Sequence, residues 1–399
     1  MSWRLLAWRM LTHRPVAALL NLGTLALGIA ALVFVASVSG QIRAQFARDL
    51  AGVDLVVGAK GRPLQLILSG VLHLDLPTGN IPASLIDEIG ALPAVREVIP
   101  LSLGDSHQGH RIVGTTHAYL ARHQARMAAG RPWQAPMEAV VGAAVARHSA
   151  LTPGSRFAGQ HGLGEGGHAH DQDPYLVTGV LAPTGTVLDR LILTDLASVW
   201  QVHEKAVAVD DSDRKALEAE REVTLLQIGY RSPLAAMSLP RWINQNTEAQ
   251  AAVPAIEIAR LFGLLGVGVR MLEGFGAVLL LLAGLSLFAT LAAAVQDRLQ
   301  DLALIRLMGA SRARLFQVVL LQASALGAVA LLLGLALGHG AVGLTGLLMA
   351  AEGGLALTAF HLAPGEAWAI LAAVCTVWLA AIVPALRAYR APVEELLIG

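Results

Sequence analysis

The sequence is poor in charge. Charged residues make up 15% of its 399 residues and hydrophobic residues 55%, whereas about 25% of the residues in a soluble domain are charged. The 29 basic and 29 acidic residues cancel, which excludes a bulk electrostatic attraction to nucleic acid. A single cysteine, Cys375, excludes a disulfide framework within the chain. These deficits are typical of a chain that is solvated partly by lipid.

Catalytic motifs are also missing. The sequence has no Gly-x-x-x-x-Gly-Lys-Ser/Thr loop for nucleotide phosphates, no His-Glu-x-x-His zinc motif and no recognisable nucleophile motif. The apolar runs contain almost no ionisable side chains, which disfavours a proton relay. For the exception, His339, we expect a snorkelling or capping role. We therefore expect that the chain is not an enzyme and carries no cofactor of its own.

Four long apolar runs predict transmembrane helices. As a helix, the first run would be about 34 Å long, enough to cross a hydrocarbon core of roughly 30 Å. A cleaved signal peptide would have a shorter apolar segment, and four uncharged runs argue against buried helices of a soluble protein. The runs cover residues 16–38, 275–295, 315–338 and 367–386, and we place the spans at 15–39, 274–296, 315–340 and 366–386.

Basic residues predict the orientation of these spans. Arginines are concentrated before the first span, between the second and third, and after the fourth. These segments share one side if the spans alternate, and the positive-inside rule makes that side cytoplasmic, with both termini. We therefore predict an interfacial helix at 1–14, a cytoplasmic loop at 297–314, a cytoplasmic tail at 387–399, an exported domain at 40–273 and an outer loop at 341–365.

The exported segment has a mixed pattern of strands and helices. Alternating apolar stretches predict strands, and helical periodicity predicts helices at 81–92 and 194–203. Residues 41–50 and 249–273 have a helical pattern and predict stalks that continue the first and second spans outward. The predicted fold is four transmembrane α-helices plus a large α+β domain inserted between the first and second spans. The predicted strands are 95–101, 111–114, 139–141, 175–181 and 191–194.

The segment between the second and third spans carries apolar residues at helical spacing. Leu302, Ile305 and Met308 could place one helix face in the groove of a partner. A plain charged connector is the alternative, and the residues alone favour neither. In the third span, Gly334 and Gly338 have the spacing that allows two helices to approach closely, as in a homodimer.

The same segment carries a family pattern. Acidic Asp301, an apolar run, basic Arg306 and then Gly309-Ala310-Ser311 follow one another here. With the order of one span, a large domain and three spans, the chain resembles the MacB/FtsX/LolC-type permeases of ABC systems. Members more often have Glu at the position of Asp301. Residues 94–102, 111–114, 142–146 and 177–184 look like parts of a MacB-like periplasmic core, and 384–396 resemble the usual family ending.

The resemblance implies a function and partners. It implies the permease subunit of an ABC transporter in the bacterial inner membrane, acting as a homodimer with a separate ATPase that holds ATP and Mg²⁺. A periplasmic protein or lipoprotein would be a further partner, besides membrane lipids, and the exported cargo would be a lipoprotein or peptide. An FtsX-like scaffold that regulates a cell-wall hydrolase is the alternative. The residues that would couple to the ATPase are Asp297, Asp301, Leu302, Ile305, Arg306, Met308, Gly309, Ala310 and Ser311.

Histidines are concentrated in the exported domain. Ten of the 13 lie between His73 and His203, and imidazole beside carboxylate suits Zn²⁺. A solvated glycine-rich loop is the alternative, and a looser group, at positions 107, 110 and 117, is a weaker candidate. Residues 58–69 and 73–82 also resemble a bacterial subgroup that is associated with zinc-responsive gene sets, so metal sensing is a third hypothesis. The candidate ligands are His161, His168, His170, Asp171 and Asp173.

Overall fold

The computed structural model describes residues 15–162, 173–207, 217–218, 220–351 and 357–390. It divides the chain into two compact units, one formed by the residues up to Arg43 and from Leu264 onward, and one formed by Ala44–Gly263. The predicted interfacial helix at 1–14 and most of the tail at 387–399 lie outside the described residues. The helices, in chain order, are α1 (Pro15–Asp49), α2 (Pro63–Gly70), α3 (Leu85–Gly90), α4 (His117–Arg122), α5 (Ala143–Ser149), α6 (Leu196–Val207), α7 (Ala235–Asn246), α8 (Pro254–Asp297), α9 (Leu299–Leu307), α10 (Arg312–Ala351) and α11 (Glu366–Arg390).

Four of these helices are long and apolar enough to cross a membrane: α1, α8, α10 and α11. They confirm the predicted spans, and three of them are longer than a bilayer requires, with 35, 44 and 40 residues in α1, α8 and α10. Their shared core joins Leu25, Ile29 and Val33 of α1 to residues of the other three helices. Many of those partners are alanines, which let the helices approach closely.

The two glycines of α10 contact α1 of the same chain. A Cβ at Gly334 would lie 2.7 Å from the Ile29 Cβ, and a Cβ at Gly338 would lie 2.9 Å from a Val33 methyl group. The predicted close helix approach therefore occurs, but inside one chain. α1 covers this face of α10. The face is therefore not free to form a contact between two copies, which the spacing of Gly334 and Gly338 would also allow.

Polar side chains link the spans at two depths. Asn21 on α1 donates a hydrogen bond to the Thr290 hydroxyl on α8 (2.9 Å) and accepts one from Ser286 (2.6 Å). Near the other end, the His339 Nε2 of α10 lies 3.2 Å from a carboxylate oxygen of Glu366 on α11. The expected capping or snorkelling role of His339 is thus replaced by a buried contact with a carboxylate, because Glu366 begins the next span beside it.

The second unit is built on a mixed β-sheet. Its strand order is β13-β1-β12-β3-β4-β10-β6-β9-β5, with β7 on β9 and β8 on β3, while β11 pairs with β2 apart from it. The pairs β10–β4 and β6–β9 are parallel. The strands are β1 (Leu55–Ala59), β2 (Ile81–Pro82), β3 (Val95–His107), β4 (His110–Thr115), β5 (Met127–Gly130), β6 (Glu138–Val141), β7 (Arg156–Phe157), β8 (Gln160–His161), β9 (Tyr175–Leu181), β10 (Ile192–Asp195), β11 (Glu222–Val223), β12 (Leu225–Tyr230) and β13 (Ala249–Ala252).

All five predicted strands are present, and three predicted helical segments begin later than expected. The helix predicted at 194–203 begins at Leu196, because Thr194 and Asp195 belong to β10. Ile81–Pro82 pairs with β11 as a strand, so the helix predicted at 81–92 is only Leu85–Gly90. Ala249–Ala252 pairs with β1, so the stalk that continues the second span begins only at Pro254. Pro254 suits the first position of a helix, because its φ is already helical and a backbone N–H at this position would have no partner within the helix. The stalk that continues the first span was predicted correctly, since α1 continues to Asp49.

Candidate functional site

The short helix α9 connects α8 to α10 and ends in a glycine turn. Gly309 has a φ of +97°, a left-handed conformation that glycine adopts without a steric cost. The amides of Gly309 and Ala310 donate to the carbonyls of Arg306 and Ile305 at 2.9 and 3.2 Å. Ser311 then directly precedes α10, a position where serine favours a helix start. The Gly-Ala-Ser pattern is thus a helix stop followed by a helix start.

One face of α9 is anchored to the spans. Leu302 is 4% exposed and packs with Val295 of α8, Leu315 of α10 and Ala385 of α11, with Ile305 partly buried at the edge. The burial follows from the i, i+3 spacing, which puts Leu302 and Ile305 on one helix face. From the sequence we expect these two side chains to face a partner. The structure directs Leu302 into the core that α9 forms with the spans.

The opposite face of α9 is open and apolar. Leu304 and Leu307 are each 54% exposed, and Met308 is 79% exposed. Of these three, only Met308 was among the predicted coupling residues. The missed signal was the second apolar set at i, i+3 and i+4, which is as regular as the first. Asp297, Asp301 and Ser311 are also exposed, while Arg306 and Ala310 are half-buried.

The C-terminal end of α1 forms a second candidate site, which sequence reasoning missed. Asp49 is fully buried, and its carboxylate accepts the backbone N–H of Val187 at 2.7 Å. Gln45 and Arg48 both donate to the Gly185 carbonyl at 3.1 Å. Gly185 and Val187 belong to one loop, and Asp189 holds this loop by accepting the Gly185 N–H at 2.9 Å. The last turn of α1 is therefore fastened to this loop of the domain.

The predicted metal ligands are only partly described. His168, His170 and Asp171 lie outside the described residues. His161 lies opposite Asp105 in the β8–β3 pair, and Asp105 is buried. Within the described ranges, no group of three or more His, Cys, Asp or Glu side chains could hold a metal ion.

The looser histidine group does not form a site. The Nδ1 of His107 lies 2.9 Å from the Ala158 carbonyl, and the Nε2 of His117 lies 3.0 Å from the Trp133 carbonyl. His110 has its ring beside His148 instead, with the ring centroids 6.0 Å apart. Each ring therefore has a different local contact, which explains the three histidines as parts of the domain's packing.

A separate pair of histidines lies around a buried tyrosine. The Nε2 of His73 is 3.1 Å from the Tyr119 hydroxyl, and the His123 ring packs edge-on against Tyr119 with centroids 5.1 Å apart. Burial, and next the Arg122 guanidinium, lower the pKa of His123 to about 4. Burial, followed by Arg111, also lowers the pKa of His73 well below its ordinary value. Both rings are therefore neutral at pH 7.

Two solved structures are similar to parts of this chain. The periplasmic region of MacB from Actinobacillus actinomycetemcomitans is similar over 54% of this chain and 95% of that chain, with 11% identity and a TM-score of 0.35. The extracellular domain of the noncanonic ABC-type transporter YknZ from Gram-positive bacteria is similar over 49% of this chain and 98% of that chain, with 11% identity and a TM-score of 0.30. A comparison with curated proteins finds no match.

Two protein families match the two parts of the sequence. Residues 18–223, more than half of the chain, match the MacB-like periplasmic core domain, and residues 274–393 match the FtsX-like permease C-terminal family. The order of the two matches is the order of the large domain and the three later spans. The chain therefore belongs to the FtsX-like permeases with a MacB-like periplasmic core domain, a family of ABC-transporter membrane subunits.

Proposed function

We propose that this permease transmits the movement of a separate ABC ATPase to its extracytoplasmic domain. The observation that carries the proposal is that α9 has one face packed against the spans and an opposite apolar face that is exposed. Leu304, Leu307 and Met308 offer an exposed apolar face, which suits the groove of a partner protein. Leu302, on the other face, packs against three spans at once. A force applied to α9 would thus act directly on α8, α10 and α11.

The outer ends of two spans support the same mechanism. α8 is one unbroken helix, and the strand just before it, β13, pairs with β1 in the sheet. α1 ends at Asp49, whose carboxylate binds the Val187 amide. Both helices that connect the membrane to the domain are therefore joined to it by hydrogen bonds. No substrate needs to cross the bilayer through this chain.

We infer the membrane location and orientation of the complex from the arginines and from the family. We place α9 and both termini in the cytoplasm, because arginines flank α9 and follow α11, and the chain in a bacterial inner membrane. Four spans are few for a transport unit, so we propose a homodimer with two ATPase copies. The domain would then act on a periplasmic protein or lipoprotein.

Removing the exposed face of α9 should weaken ATPase binding. In the triple variant Leu304→Ala, Leu307→Ala and Met308→Ala, alanine maintains the helix but removes the apolar contacts. We expect at least tenfold weaker binding of the co-purifying ABC ATPase, measured in nanodiscs, because a few central apolar side chains carry most of an interface's binding energy. The matched control is Leu321→Ala with Val329→Ala, two exposed positions within α10. Equal affinities for both variants would refute the proposal.

We also propose that Zn²⁺ binds the glycine-rich loop of the domain. The donor chemistry supports it, since His161, His168 and His170 lie near carboxylates in sequence, and Asp105 lies opposite His161 in the sheet. In calorimetry of the whole protein with Zn²⁺, the double variant His168→Ala, His170→Ala should bind at least tenfold more weakly. The exposed His148→Ala should bind normally. Unchanged binding in the double variant would eliminate the loop as a zinc site.

A further inference from the structure

A cleft opens on the surface of the four-span unit between α10 and α11. It has a volume of about 200 Å³, and α1 forms its floor. Leu25 and Ile29 on the floor are at most 2% exposed, whereas Val374 and Trp378 at the rim are 37% and 57% exposed. The cleft is therefore closed toward the core of the spans and open toward their surroundings.

Small residues of α10 and α11 create this cleft. Ser324, Gly327 and Ala328 line it on the α10 side, and Ala373 lines it on the α11 side. The three α10 positions share a helix face, because residues three and four apart are neighbours on a helix surface. A Cβ at Gly327 would lie 2.9 Å from the Val377 methyl groups, so the two helices are in contact at this level. Beside that contact, the small side chains leave a gap that larger ones would fill.

The cleft lies at the middle of the spans. Ile29, Gly327 and Val377 line it from three different helices, and each lies within two residues of the centre of its predicted span. A hydrocarbon core is about 30 Å thick, so a site at its centre is about 15 Å from either polar surface. Lipid headgroups do not extend to that depth, whereas the ends of lipid acyl chains do.

The walls of the cleft suit hydrocarbon rather than water. Among the described residues that line it, polar side-chain groups are confined to the Ser324 hydroxyl and the Trp378 indole. A buried water needs roughly two to four polar partners, and an apolar cavity of about 150 Å³ stays dry but takes up an apolar ligand. Left empty, the cleft would deprive its walls of dispersion contacts. The end of an acyl chain is narrow enough to restore them, whereas a helix, about 10 Å in diameter, would cover the cleft without entering it.

We propose that the cleft binds one acyl chain of a membrane phospholipid. The chain enters past Val374 and Trp378 at the rim and packs on Leu25 and Ile29 of α1. It then contacts α1, α10 and α11 at once, so the bound lipid becomes part of the packing of the four-span unit. The site involves neither α9 nor a second copy of the chain, and it is therefore independent of the proposed function.

Photolabelling of the whole protein in nanodiscs tests this site. The probe is a phosphatidylglycerol with a diazirine near the terminal methyl group of one acyl chain, at trace level in palmitoyl-oleoyl phosphatidylglycerol, and tandem mass spectrometry locates the label. We expect roughly fivefold more label on Ser324 and Leu331, which line the cleft, than on Val329 and Leu332. Those two α10 side chains are 48% and 68% exposed, so chains that only surround the protein would label them more. A probe with the diazirine beside the headgroup should leave the cleft unlabelled.

Filling the cleft should remove the excess label. Ala328→Leu places a larger side chain in it, and we expect labelling of Leu331 to fall to the level of Val329. Ala325→Leu makes the same change at an exposed α10 position outside the cleft and should keep the parent pattern.

Two results would overturn the site. One is labelling of the cleft that is equal to or lower than that of Val329 in the parent protein, the lower value indicating that a partner helix covers the cleft. The other is excess label that persists in Ala328→Leu. The ratio in the parent protein decides the question even if Ala328→Leu does not fold.

Discussion

The variant Gly334→Leu is expected to destabilise the four-span unit by about 3 kcal/mol, the upper end of the cost of overpacking. A Cβ alone would lie 2.7 Å from the Ile29 Cβ and 2.9 Å from the Ala26 carbonyl oxygen. The first contact is with a β-branched side chain and the second with helix backbone, so neither can move without shifting α1. The larger leucine side chain would therefore push α1 and α10 apart.

The same helix offers a matched control for this variant. Gly340→Leu makes the same chemical change on α10, where nothing lies within 4 Å of a new Cβ. The free energy of unfolding can be measured by titration with sodium dodecyl sulfate in mixed micelles, followed by circular dichroism. Gly340→Leu should be close to the parent protein. If instead Gly334→Leu only separated two copies and left each chain as stable as before, the glycines would serve a dimer rather than α1.

Acidification is expected to destabilise the MacB-like domain through His123. The folded-state pKa of about 4 lies below the ordinary value of about 6.5. Between these values the unfolded chain binds a proton that the folded domain rejects, so stability is lost as the pH falls from 6.5 toward 4. This one group accounts for about 3 kcal/mol over that window, at about 1.4 kcal/mol per pH unit. The effect of His73, whose pKa is also lowered, has the same sign.

A substitution isolates the contribution of His123 from other titrating groups. His123→Gln removes the titration and should flatten the pH dependence between 6.5 and 4 by about 1.4 kcal/mol per pH unit. His361→Gln makes the same chemical change at an exposed position outside the domain and is the matched control. Unfolding of the whole protein can be followed by tryptophan fluorescence, to which Trp133, buried in the domain, contributes. A slope that is the same in His123→Gln and the parent would contradict the assignment.

The sequence predicted the features that depend on local composition. The four spans follow from the length of apolar runs, and strands such as Tyr175–Leu181 follow from an alternating pattern. Gly309 was singled out through the family pattern, and its φ of +97° explains why glycine occupies this position. Each of these features is set by a short stretch of chain, so it can be derived without knowing what the stretch contacts.

Features that depend on distant partners were not predicted. Ala249–Ala252 forms a strand only because β1, far earlier in the chain, offers an unpaired edge. The apolar residues of α9 fall on two faces, of which only one was recognised, and periodicity could not tell that the spans would bury Leu302 rather than Leu304. The hydrogen bond from Val187 to Asp49 joins residues 138 positions apart, and no local signal marks such a pair.

The continuity of α8 has a mechanical consequence. A helix without a break behaves as a lever arm, so a rotation at one end is amplified into displacement at the other. For a rod of about 66 Å, a tilt of about 5° displaces the far end by about 6 Å. Such a distance exceeds the spacing between neighbouring β-strands. A small angular change at the α9 end of α8 would therefore displace the other end of the same helix by more than the width of a strand.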